Sequence, residues 1–314
     1  MVQYPKYISK INSIEIKNLW GKYDIEWKLD PKVNILGGIN GSGKTTILRI
    51  IDNIFNEPHF PHEHDYDEHK DIHLPDKNDF RRKMKFREYG TEVKIIFNDD
   101  KEITGSGDYW AIGMIDAPNK IRSLVNTFDA PIKDIDKVTE TNTPIDIELE
   151  TLIDGNLYEF NFVKLDSKIQ SKTIELYKAN KRQEADKEER RVQDFFNLID
   201  SFFQKTNKRI QFTEDKNIVF QNGSSQLKTN QLSGGEKQLL IILFQVFLQE
   251  GKPRVLLLDE PEISLHLRWQ FKLIETIRSI NPNCQLIVAT HSPSIFGKGW
   301  GDKVVDIETL KTPV

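Results

Sequence analysis

Apolar and polar positions alternate with a period of two in two early stretches, at Ile14 and Ile16 and again at Ile25, Trp27 and Leu29. That alternation predicts two half-buried strands. Residues 33–36 read as a third strand and run into the glycine-rich stretch 37–43. The period then changes, and Ile47, Ile50, Ile51 and Ile54 fall on one face of a predicted helix. Across residues 57–92 the pattern dissolves into His, Asp, Lys and Pro, as expected of a surface insertion. A strand resumes at 93–97. Residues 145–149 and 157–165 read as a hairpin around Asp154-Gly155-Asn156. Residues 168–208 read as one helix, roughly 60 Å long if continuous. It is charged as far as Arg191 and then carries an apolar stripe of Phe195, Phe196, Ile199, Phe202 and Phe203. The short unbroken apolar runs 255–258 and 286–289 are the pattern of parallel strands buried on both faces. Residues 303–306 supply a last strand. The expected class is therefore α/β.

Composition narrows the function classes. The 314 residues are 38% hydrophobic and 29% charged, a globular balance with ample apolar material for a core. A net charge of −4 excludes a uniformly basic nucleic-acid coat, though not a local basic patch. No stretch approaches the ~18–20 apolar residues of a membrane span, and the first ten residues have no secretory core. The single cysteine, Cys284, excludes an internal disulfide and reads as a reduced core residue. The expected compartment is the cytoplasm.

Three stretches carry chemistry. Gly38-Ile39-Asn40-Gly41-Ser42-Gly43-Lys44-Thr45 fits G-x-x-x-x-G-K-[ST] between a strand and a helix, the context a P-loop needs. Glycines let main-chain N–H groups turn toward phosphate oxygens, and the helix start adds partial positive charge. Asn40, Gly41, Ser42, Gly43, Lys44, Thr45 and Thr46 are therefore the expected ATP contacts, with Lys44 on the β- and γ-phosphates and the Thr45 hydroxyl on Mg²⁺. The strand 255–258 delivers Asp259 to the carboxyl edge of the sheet, where it would hold Mg²⁺. Glu260 follows as the expected general base. The third stretch, Gln231-Leu232-Ser233-Gly234-Gly235-Glu236-Lys237-Gln238, starts another helix and hence another anion site. Read alone, it is also an ordinary serine cap followed by two glycines.

With that third stretch the sequence resembles the ABC ATPases, whose Leu-Ser-Gly-Gly signature stands at 232–235, with Glu236 where transporters usually have Gln. The resemblance covers 11–56 and 212–309. It implies an ABC-ATPase head: a mainly parallel P-loop sheet flanked by helices, an antiparallel N-terminal β portion, and a helical insertion. A β portion over 93–166 and a helical lobe over 167–211 would lie between the two halves of the nucleotide core. The resemblance also implies that Ser233, Gly234, Gly235 and Glu236 bind the γ-phosphate of ATP held by the opposite subunit, so two chains must meet. Residues 261–266 match the D-loop region, and His291 matches the switch histidine that senses the γ-phosphate. Gln170 and the segment Thr127-Phe128-Asp129 are the candidates for the Q-loop. Trp20 and Tyr23 are the candidates for stacking on adenine, or else are packing residues.

Transporter subunits usually read Asp-Glu-Pro-Thr and then Leu-Asp. Here Asp259-Glu260-Pro261-Glu262 is followed by Leu265-His266. That resembles the branch of RecF-like repair ATPases, chromosome-maintenance heads and OLD-type defence ATPases. The helical stretch is too short for a repair-type coiled coil, and too few residues follow His291 for the nuclease domain of OLD proteins. The resemblance thus implies a minimal ATPase, slow as an isolated chain, that forms an ATP-dependent homodimer or higher oligomer. Its closure would govern a separate effector, a nuclease or toxin of phage defence. The alternative is a RecF-like clamp acting on DNA itself.

Two clusters stand outside this scheme. His59, His62, His64, His69 and His73 lie among Asp65, Asp67 and Glu68. They are either metal ligands or solvated loop residues, and their spacing fits no closed zinc pattern. Arg81, Arg82, Lys83, Lys85 and Arg87, and the mixed charges of 178–191, are either a phosphate-binding face or a solvated one.

Overall fold

The computed structural model describes residues 10–56, 90–97, 102–106, 109–111, 124–126, 143–155 and 161–314. The opening alternation forms β1 (Ile11–Leu19) and β2 (Tyr23–Lys28), antiparallel, with Ile14 opposite Trp27 and Ile16 opposite Ile25. β3 (Val33–Gly37) leads through the glycine loop into α1 (Lys44–Asn56). β4 (Glu92–Phe97) pairs with the other edge of β1. β5 (Glu102–Ser106) and β6 (Tyr109–Ala111) extend that antiparallel sheet, and β7 (Leu124–Asn126) forms an edge of a separate parallel sheet.

Where the hairpin is expected, the described residues 144–154 and 162–165 are helical instead. α2 (Pro144–Asp154) starts at Thr143, whose main-chain N–H donates to Asp146 Oδ2 at 3.0 Å, with Pro144 in the first turn. The alternating Ile145, Ile147 and Leu149 look strand-like, but the side chains buried are Leu149, Leu152 and Ile153, a helical spacing. α3 (Phe162–Lys178) is capped by Asn161, whose Oδ1 accepts from the Lys164 N–H at 2.9 Å. The expected single long helix is also corrected. It breaks after α3, where Asn180 takes a left-handed conformation, and α4 (Arg182–Phe203) packs back on α3.

After α4 come β8 (Lys208–Phe212), β9 (Ile218–Asn222) and β10 (Ser225–Lys228), a small antiparallel sheet. α5 (Gly234–Phe247), β11 (Val255–Asp259), α6 (Leu273–Ile280), β12 (Gln285–Ala289), β13 (Val304–Asp306) and β14 (Lys311–Pro313) complete the chain.

The central sheet runs β13-β3-β12-β11-β7 with every neighbour parallel, so its carboxyl ends share one edge. Its apolar runs serve two cores by alternation. Val255 and Leu257 point into the cluster with α1 and the antiparallel sheet, whose order is β14-β2-β1-β4-β5-β6. Leu256 and Leu258 point into the cluster built on α5, α6 and the helices α2–α4. In that second core the Phe195 ring of α4 stacks on Phe247 of α5 at 4.1 Å between centroids and meets Phe244 edge-on. Burial pushes the Cys284 thiol up to about 12, consistent with an inert core residue. Among the described residues no helix is long and apolar enough to cross a membrane.

Candidate functional site

The loop after β3 adopts backbone that side chains resist. Gly38 has φ 146° and Gly43 φ 107°. A Cβ on Gly38 would press on Ile307 and Ser42, and one on Gly43 would collide with the Trp20 indole. Ile39, Asn40 and Gly41 form the exposed rim, while Ser42 and Lys44 are buried. Glycine is required here because the main chain itself must line the cradle. Lys44 Nζ donates to the carbonyls of Gly38 and Ile39 at 2.9 and 3.1 Å. It also lies 3.7 Å from Glu260 Oε1.

The sheet topology brings the second motif to the first. β11 is separated from β3 only by β12, and the Thr45 hydroxyl donates to Asp259 Oδ1 at 3.1 Å across 214 residues of sequence. Thr46 follows, half-buried, in the same turn of α1. Burial raises the Asp259 carboxyl above the usual aspartate range, and the neighbouring Glu260 charge adds to the rise. The Thr45 hydrogen bond opposes it. Glu260 leaves the strand in left-handed backbone (φ 45°), its N–H donating to the Ala289 carbonyl at 2.8 Å. That turn aims its side chain back over the loop toward Lys44. His291, two residues past β12, has Nδ1 3.6 Å from Glu260 Oε1 and 3.3 Å from Glu262 Oε1. Lys44, Thr45, Asp259, Glu260 and His291 therefore meet at the carboxyl edge of the sheet. A cleft of about 440 Å³ opens beside them, between the start of the loop, Thr290, His291 and Phe296.

The signature stretch caps α5. The Ser233 hydroxyl accepts from the Glu236 N–H, and the Ser233 N–H donates to Glu236 Oε2 at 2.9 Å. Ser233 and Gly234 are exposed, and a Cβ on Gly234 would meet open space. A Cβ on Gly235 would collide with the Ser264 carbonyl, so the helix start is seated on the turn that follows Glu260. Glu236 points inward to Lys208, and Lys237 to Asp146 at 2.6 Å.

Other expected residues fall elsewhere. Gln170 donates to Asp166 on its own helix at 2.7 Å. Tyr23 faces the Lys311 ammonium, whereas Trp20 lies against the loop at Gly43. β7 runs beside β11 with Asn126 opposite Asp259, so the chain leaves β7 at the site's edge. Residues 127–129, the histidine cluster 59–73 and the basic cluster 81–87 lie outside the described residues. Sequence reasoning missed Glu262 as a partner of His291. The signal was a third acid in Asp259-Glu260-Pro261-Glu262 at a spacing that turns it back toward the sheet.

A buried parallel sheet, a glycine cradle with Lys44 and Thr45, an Asp-Glu strand end and a serine-capped signature helix define an ABC-type P-loop ATPase. The family model described as "AAA domain, putative AbiEii toxin, Type IV TA system" matches residues 33–297, and the chain belongs to that family. Membership implies that it binds and hydrolyses ATP. It is similar to the Septu protein PtuA of Bacillus thuringiensis, 20% identical over 90% of this chain and 72% of PtuA. Over 29% of its length it is 28% identical to the "Retron Vc95 probable ATPase" of Vibrio cholerae, of which it spans 20%. Among solved structures, an SMC head bound to the C-winged helix domain of ScpA aligns with a TM-score of 0.47 at 17% identity. That alignment covers 92% of this chain and 91% of the SMC head.

Proposed function

We propose that the chain is the ATP-driven part of a two-component defence system, in which nucleotide closes two copies and closure governs a separate nuclease or toxin. The observation that carries this reading is the division of the site. The P-loop, Asp259, Glu260 and His291 meet at one edge, while the hydrogen bonds of Ser233 stay within its own cap and Gly234 faces open space. Such an exposed helix start offers N–H groups and partial positive charge to a phosphate brought by a second copy. The likeness to PtuA supports the defence assignment.

ATP would draw Lys44 off the Gly38 and Ile39 carbonyls, because an ammonium–phosphate contact is stronger than one to a neutral carbonyl. That frees Glu260 from its cation, and its carboxylate takes the proton of the attacking water. The Thr45 hydroxyl and the Asp259 carboxylate, already 3.1 Å apart, fit a hard divalent cation and would hold Mg²⁺. Bound there, Mg²⁺ would supply charge neutralisation for the phosphates. Ser233, Gly234 and Gly235 of the second copy would close over the γ-phosphate.

Glu260→Gln tests the reading. It should retain ATP and shift the chain toward dimers in ATP, as read by light scattering, and Lys44→Ala should abolish the shift. If ATP changes the assembly of neither wild type nor Glu260→Gln, the sandwich reading is wrong. For the effector, phage challenge of cells carrying this gene and its neighbour should show protection that Lys44→Ala removes.

A DNA clamp is less well supported by the helical lobe. There Lys168 pairs with Glu250, and Lys172 and Arg191 both pair with Glu188. Steeply salt-dependent DNA binding would restore that reading.

A further inference from the structure

The geometry points to Glu262 as a positioning residue for His291: its buried carboxylate takes the imidazole Nδ1–H and so leaves Nε2 as the ring nitrogen available to the nucleotide cleft. The inference rests on the proposed reading of Glu260 and His291 as the hydrolytic pair.

Glu262 is the better-fixed of the two carboxylates near the ring. Its side chain is 6% exposed, against 21% for Glu260. Its Oε1 accepts from the Thr290 hydroxyl at 2.6 Å and from the His291 main-chain N–H at 2.9 Å. Those two bonds place the oxygen before the imidazole arrives, and Nδ1 then lies 3.3 Å away. The backbone beneath is fixed as well. Gln270 Nε2 donates to the carbonyls of Glu262 and Leu265 at 3.2 and 2.8 Å, and Gln270 Oε1 accepts from Ser292. Glu262 Oε2, by contrast, is buried with no hydrogen-bond partner. The donors around this carboxylate converge on the one oxygen that faces His291.

The chemical consequence follows from the two roles of an imidazole. A neutral ring donates from one nitrogen and accepts at the other, and a carboxylate behind it decides which. With Nδ1–H directed at Glu262, Nε2 is the acceptor when His291 is neutral and the donor when it is protonated. Glu260, 3.6 Å from the same Nδ1, would otherwise compete for that proton. Glu262 thereby leaves Glu260 free for the attacking water. Four charged or titratable groups meet here: Lys44, Glu260, His291 and Glu262.

The test is ¹⁵N NMR of histidine-labelled full-length protein at a pH where His291 is neutral, with the resonance assigned by its loss in His291→Asn. Wild type should show the Nδ1–H tautomer. Glu262→Ala should shift His291 toward Nε2–H. Glu262→Gln keeps an acceptor for Thr290 and the His291 main chain and so should fold even if Glu262→Ala does not. It also keeps an acceptor for Nδ1–H but removes the negative charge behind the ring, and should for that reason lower kcat for ATP about 10- to 100-fold with KM within about twofold. Nε2–H in wild type overturns the inference, as does unchanged turnover in Glu262→Gln. A Glu262→Gln variant with lower Tm and a proportionate rise in KM would show a brace only, and also overturns it. Glu260→Gln is assayed alongside. If that variant hydrolyses ATP like wild type, the catalytic reading fails, while the tautomer, which needs no turnover, still decides the role of Glu262.

Discussion

Lys208 Nζ sits 2.7 and 2.8 Å from the two carboxylate oxygens of Glu236, joining the first residue of β8 to the first turn of the signature helix. Burial pulls the Glu236 carboxyl upward. The Lys208 ion pair and the Ser233 N–H and hydroxyl outweigh it and hold the group below the usual glutamate value. A depressed folded value means the stabilisation is present above the unfolded pKa, about 4.3, and is lost as pH falls through the folded one. Lys208→Met should therefore cost about 3 kcal/mol at pH 7, because it strands a buried charge. The gap from wild type should shrink on acidification. Denaturant melts at several pH values check this, and a gap that stays constant down to pH 3 would mean the pair is not the cause.

Asp259 has the opposite sign. Its folded value is raised, so wild-type stability declines as pH rises from the unfolded value through the folded one. Asp259→Asn removes the buried charge. The free protein should become more stable at neutral pH by about 1 kcal/mol, ~2 °C in a chain of this size. The same variant should lose Mg²⁺-dependent ATP turnover. Calorimetry of the nucleotide-free protein reads the first effect, and a destabilised variant would contradict it.

The two signature glycines should separate folding from function. Gly235→Ala drives a methyl into the Ser264 carbonyl and should lower Tm by several degrees. Gly234→Ala meets nothing and should leave Tm unchanged or slightly higher. On the proposed reading, its methyl obstructs the γ-phosphate of the second copy. ATP-dependent dimerisation should weaken at least tenfold in a variant that melts normally.

Trp20 against Gly43 makes a spectroscopic prediction. The indole touches the loop at the base of α1, so loop rearrangement on ATP binding should change its emission. Trp20→Phe should remove most of the ATP-induced fluorescence change while the other tryptophans remain. Gly43→Ala, which combines the collision with φ 107°, should cost ATP affinity at least tenfold.

The residues that meet at the candidate site were largely legible because they lie in local words. Strand, glycine loop, lysine and helix are contiguous at 33–56, and Val255 to Asp259 announces a strand buried on both faces. Glu262 was legible as an acid but not as a partner, because its bonds to Thr290 and His291 cross 28 and 29 residues. The region 143–203 misled for a different reason. Ile145, Ile147 and Leu149 alternate, but a threonine–proline start with Asp146 in the capping position decides for helix. The break between α3 and α4 rests on Asn180 in left-handed backbone, and a residue of that type gives little warning inside a highly charged run.

The adjacency of β3 and β12 also sets when the candidate site can assemble. Val33 pairs with Leu286 and Ile35 with Val288. Thr45 reaches Asp259 only across 214 residues. On the ribosome the glycine loop emerges before Asp259, its proposed cation-binding partner, which follows Thr45 by 214 residues, with His291 later still. Contacts of such range form late, because loop closure precedes any reward from pairing. On the proposed reading, a chain made only as far as α1 would expose a phosphate cradle without Asp259, Glu260 or His291. For a protein proposed to govern a destructive partner, the synthesis of β11 and β12 would then act as the first safeguard, before nucleotide or second copy takes part.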